Sequence, residues 1–124
     1  MQAGLRSTKA GIILGSARCP VNLVDGAVAA AGSDQSDAAA LHNVMNVVSG
    51  ADGTVGVILP GPGVSGREVR VYNAGTASAL KVYPPSGGTI NGGTEDAAIS
   101  VAPSTLALLT CMDGTNWAAS YTTV

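Results

Sequence analysis

Residues 55–117 alternate apolar and polar side chains in short runs broken by Gly, Pro and Asn, a two-residue period that a strand satisfies and a helix does not. Val55, Val57 and Leu59 form one run ending at Pro60. Val69 and Val71 oppose Arg70 and Tyr72, and Leu80 and Val82 oppose Lys81 and Tyr83, with residues 73–78 connecting these two runs. Strands are also expected over 98–102, 105–111 and, after the Asp113-Gly114 turn, 117–121. Strands this short and evenly spaced predict a mainly β chain: a small antiparallel β-sandwich or barrel-like roll.

Upstream the pattern changes. Residues 1–20 carry Gly4, Gly11, Gly15 and Pro20 among polar residues, a composition suited to an extended N-terminal arm. Residues 21–31 alternate around Asp25-Gly26, as a hairpin or the last part of that arm would. One short α-helix is expected over about 34–48, capped by Ser33 or Asp34, with Asp37 in its first turn and Gly50 as its stop. Ala38, Leu41, Met45 and Val48, widened by Val44, would be its apolar stripe. The domain plan is therefore an arm over 1–20 and a single β-rich domain over 21–124. No internal repeat of fixed period is visible.

Composition bounds the core. Of 124 residues, 51 are Ala, Gly or Val, and there is no Phe. Small side chains bury little area, at about 25 cal/mol per Å2, while ordering the backbone costs ~1–2 kcal/mol per residue. Such a chain gains from burying surface against copies of itself, so an obligate oligomer is expected. The net charge is −2 and the six Lys and Arg are scattered, which gives no basic stripe for nucleic acid. The apolar run at 12–14 is far shorter than the ~20 residues of a membrane-spanning helix. Cys19 and Cys111 read as reduced thiols, and a bridge between them is the alternative.

Chemistry-bearing patterns are few. Residues 61–66 spell G-x-G-x-x-G, but a strand pattern follows where a dinucleotide site needs a helix, and no acid lies about twenty residues on. His42 is the one histidine, with no second ligand at metal-site spacing. Asp34 with Asp37 reads as a helix start, and Glu95 with Asp96 as a charged loop. No serine sits in a nucleophile elbow. These readings predict no enzyme, no catalytic residue, no metal and no cofactor. Trp117 reads as a core plug.

The segments Asp34-Gln35-Ser36-Asp37-Ala38-Ala39-Ala40-Leu41, Val57-Ile58-Leu59-Pro60, Gly66-Arg67-Glu68-Val69, Val71-Tyr72-Asn73-Ala74-Gly75 and Ala79-Leu80-Lys81-Val82-Tyr83-Pro84 carry a resemblance, together with GGTING at 87–92 and Trp117. Across residues 32–119 the chain resembles a module of tailed-bacteriophage virion proteins, among them capsid decoration (cement) or head proteins and segments of fibre proteins. With one such module and no shaft repeats, the resemblance implies a stand-alone decoration protein, a homotrimer on the outer surface of an icosahedral capsid. Its partners would be the major capsid protein and itself, with no nucleic acid and no membrane. The arm would add a strand to a capsid sheet edge through Leu5, Ile12, Ile13 and Leu14, with many copies acting together. The alternative is a fibre or spike tip that binds a host glycan or protein through exposed Tyr72, Tyr83 and the 86–94 loop.

Overall fold

The computed structural model describes residues 27–61 and 64–123, so the arm expected over 1–20 lies outside the described residues. Among the described residues, ten strands and one 3-10 turn follow in order: β1 Ala27–Ala29, η1 Gln35–Asp37, β2 Ala39–Ala40, β3 Met45–Ser49, β4 Gly56–Ile58, β5 Glu68–Asn73, β6 Leu80–Tyr83, β7 Thr89–Ile90, β8 Ile99–Val101, β9 Thr105–Cys111 and β10 Asn116–Thr123. The chain is mainly β, as its alternation requires.

Two mixed sheets result. One has six strands in the order β1-β3-β5-β9-β10-β7, the other four in the order β2-β4-β6-β8. The expected all-antiparallel arrangement is corrected here: β1, β3 and β5 run parallel, as do β2, β4 and β6. From β1 to β9 the chain visits the two sheets in strict alternation, and through β6 each circuit lays one strand on each sheet beside the strand of the circuit before, whereas β7 pairs parallel with β10 at the far edge of the six-stranded sheet. This is the logic of a coil, in which parallel neighbours are joined by a crossover instead of a hairpin turn. Apart from an isolated bridge between Ala31 and Gly56, antiparallel pairing enters only later, at β8 against β6 and at β9 against β5 and β10.

The coil carries a repeat that the sequence conceals. Val47 lies opposite Tyr72 in one sheet and Val57 opposite Val82 in the other, so both sheets advance by 25 residues from the second circuit to the third. At this spacing Val44 matches Val69, Gly50 matches Gly75 and Pro60 matches Pro85. In a chain rich in Ala, Gly and Val such matches occur by chance, and the first circuit breaks the period, advancing 20 residues from Ala27 to Val47 and 18 from Ala39 to Val57.

The helix expected over 34–48 does not form. Its capping residues work as such: Asp34 accepts from the Ser36 amide, and Asp37 returns bonds to the amides of Ser33 and Asp34. The turn they start closes after three residues, and Ala38 is already extended. Beyond it the β-branched valines take the strand, and the burial alternates: Asn46 and Val48 inward, Val47 outward, with Val44 52% exposed. Leu41 and Val48, spaced for one helix face, reach the core from two segments instead.

A single core cluster draws on both sheets. Val48, Val69, Val71, Ala107, Leu109, Cys111 and Trp117 come from the six-stranded sheet, and Val57, Val82, Leu80 and Val101 from the four-stranded one. Valine is its commonest filler, followed by leucine, with Trp117 the largest side chain, fully buried.

Candidate interaction surface

Among the described residues, no group of three or more His, Cys, Asp or Glu side chains can hold a metal ion. No helix among them is long and apolar enough to cross a membrane. The titratable side chains are spent on turns. Asp52 accepts from the amides of Thr54 and Val55 and from the Thr54 hydroxyl, Asp113 from the amide and side chain of Asn116, and Asp34 from Ser36. These hydrogen bonds, side-chain ones first, stabilise the carboxylate and hold all three below the usual aspartate pKa. Asp96 accepts from the Gly87 amide at 2.7 Å and from Gln35 Nε2 at 3.0 Å, tying the 84–97 segment to η1. Asp34, Asp37 and Asp96 are thus framework, and Glu95 is exposed. His42 is exposed.

The 61–66 loop leads into strand β5, with Gly66 at φ +89° donating to the Cys111 carbonyl and Ser65 bonded to the Met112 carbonyl. Pro62 and Gly63 lie outside the described residues. Next to the loop is an open cavity of about 420 Å3 lined by Ile58, Leu59, Gly61, Pro85 and Ser86, none of which carries an ionisable group.

The two tyrosines expected at an exposed surface are not brought together. Tyr83 is on β6 of the four-stranded sheet and only 7% exposed, its ring against Gly56; burial first, then the nearby Asp34 and Asp37 charges, push its phenol pKa up. An aromatic enclosed in this way offers no ring face to a sugar. Tyr72, on β5 of the six-stranded sheet, is half-buried. Leu5, Ile12, Ile13, Leu14 and Cys19 lie outside the described residues, and Cys111 is buried as a free thiol.

What the structure offers is a sheet face. The six-stranded sheet turns Val71, Ala107 and Leu109 to the core, and its outer face carries the residues between them. Cross-strand register sets Val47, Tyr72 and Leu106 in one row and Met45, Arg70 and Leu108 in the next. These apolar side chains are partly open, at the middle of a sheet, with Arg70 and Glu68 beside them. Sequence reading could have found the row in the uninterrupted Leu106, Leu108 alternation, but without strand order it could not set Tyr72 next to Leu106. No protein-family model matches the chain, and no curated protein matches it either.

Proposed function

We propose that the chain is a structural virion protein, one that decorates and cements the outside of a tailed-phage icosahedral capsid by bridging major capsid subunits. The observation that carries this reading is the outer face of the six-stranded sheet: a row of half-open apolar side chains, Val47, Tyr72 and Leu106 beside Met45 and Leu108, on a rigid β frame. A monomer gains nothing from such a face, whereas a protein that works by contact with its neighbours does. The two sheets, sharing one core, form the layers of a small sandwich-like roll. Copies associate as a homotrimer, and attachment to the shell involves the segment before Ala27, where Leu5, Ile12, Ile13 and Leu14 were expected as anchors. Many copies per shell multiply modest single-site affinity.

The test is to add purified chain to capsids stripped of accessory proteins and image them. Ordered, symmetric density on the outer surface and a raised capsid melting temperature are expected. Unoccupied shells together with binding to host cells or a glycan array would replace this reading with that of a fibre tip.

A further inference from the structure

Asn91 and Gly92 are the central residues of a tight turn, at φ +55° and +68°, closed by the Gly93 amide donating to the Ile90 carbonyl at 3.1 Å. Left-handed backbone is what asparagine and glycine tolerate best, which suits this pair to the turn. It also joins a carboxamide to the backbone nitrogen that can attack it. Of the six asparagines, five are followed by Leu23, Val44, Val47, Ala74 or Trp117, and Asn91 alone by glycine. Both residues are exposed, and a Cβ built on Gly92 meets nothing within 4 Å, so no side chain shields the Gly92 nitrogen. The bond that closes the turn uses the Gly93 amide, and the Gly92 amide is bonded to none of the described residues.

The Asn91 carboxamide is held on the neighbouring strand. β7 meets β10 through the Thr89 amide on the Thr115 carbonyl at 3.0 Å and the Asn91 amide on the Trp117 carbonyl at 2.8 Å. The Asn91 side chain then carries the ladder one step further, because its Oδ1 accepts from the Ala119 amide at 2.8 Å while its Nδ2 reaches the Ala119 carbonyl at 3.4 Å. The rotation that brings Asn91 Cγ onto the Gly92 nitrogen has to break this clamp.

We infer that Asn91 is a self-modifying site, which converts without an enzyme to aspartate and isoaspartate at a rate set by opening of its clamp on Ala119. Solvent hydroxide takes the Gly92 N–H proton, and the nitrogen attacks Asn91 Cγ. The N–Cγ bond forms, the Cγ–Nδ2 bond breaks, and Nδ2 takes a proton from water and leaves as ammonia, so that a succinimide ring remains. Water then opens the ring. Breaking the new N–Cγ bond gives aspartate, and breaking the original peptide bond gives isoaspartate, with the backbone rerouted through Cγ. No electrons are transferred. Either product exchanges the Nδ2 donor for a carboxylate, which makes a chain of net charge −2 more negative and loosens β7 from β10. The inference rests on this turn and not on the virion reading, and no capsid enters its test.

Peptide mapping by mass spectrometry, with isoaspartate resolved, decides it on the full chain kept folded at neutral pH beside the same chain in urea. In the folded chain Asn91 is expected to convert at least about tenfold faster than any other asparagine, yet at least about tenfold more slowly than in urea. Ala119→Pro removes the amide donor at a position whose nitrogen bonds Asn91 and not β9, where proline is tolerated, and should bring the folded rate toward the urea rate. Asn91 left intact in the folded chain after complete conversion in urea overturns the inference. So do equal rates in the two conditions, or an unchanged rate in folded Ala119→Pro. If that variant unfolds, the comparison of folded and urea-treated parent chain decides alone.

Discussion

Asn73 shows how one side chain can hold several segments. It is fully buried, its amide group donates to the carbonyls of Ser78 and Val101 at 3.0 Å each, and its oxygen accepts from the Gly75 amide at 2.9 Å. Asn73→Ala strands the buried Val101 carbonyl and the half-buried Ser78 carbonyl and Gly75 amide, and we expect a loss of about 2–4 kcal/mol in urea unfolding. Asp113 acts at the surface. Its pKa is lowered in the folded chain by the Asn116 bonds, so its contribution is complete above its unfolded value near 3.8 and is lost as pH falls through the lower folded value. Asp113→Ala should therefore melt below the parent at pH 7, with the gap between the two closing toward pH 2 in calorimetry. Neither role was legible in the sequence: Asn73 read as part of a loop, and only the Asp113-Gly114 turn was anticipated. A buried polar residue declares itself through long-range partners, here Val101, which a linear reading does not supply.

At the scale of elements, β9 was legible residue for residue, because it has one face buried and the other partly open, which is the condition for alternation, whereas in β6 the alternation holds from Leu80 to Val82 and fails at the buried Tyr83. Segment 34–48 was misread for a physical reason. Leu41, Met45 and Val48 satisfy helical spacing by coincidence of two different segments, while Val44, Asn46 and Val47 carry the poorer helix propensities that decided the outcome. Strand direction was not legible at all, since short alternating runs look alike in parallel and antiparallel pairs. The close pairing of β4 with β6 gives a test. Gly56 faces Lys81, and a Cβ there would stand 2.5 Å from the Lys81 carbonyl oxygen and 3.0 Å from the Tyr83 ring. Gly56→Ala should thus push β4 and β6 apart, lowering stability by about 1–3 kcal/mol by thermal or urea unfolding. The same change at Gly53, where nothing lies within reach of the new methyl group, meets only the backbone cost of its φ of +92°.

For the molecule as a whole, the scarcity of large side chains meets a sheet face left partly open. A core of valines and leucines with one tryptophan is thin, and covering Val47, Tyr72 and Leu106 adds apolar burial that the monomer lacks. We therefore expect self-association in ultracentrifugation at micromolar concentration and a melting temperature that drops on dilution. A monomer with a concentration-independent melting temperature would refute it. Replacing Leu106 with Lys should favour the monomer without unfolding it, because this side chain is turned away from the core.

The 25-residue step common to both sheets has a bearing on how such a chain can change length. An extra stretch inserted at one step boundary would enter as a complete storey, finding ready-made floors above and below, and the reversing strands at the far end would not have to be rebuilt. Height is thereby separable from the two ends, so an ancestor or a designer can set the reach of the molecule by copying a single storey.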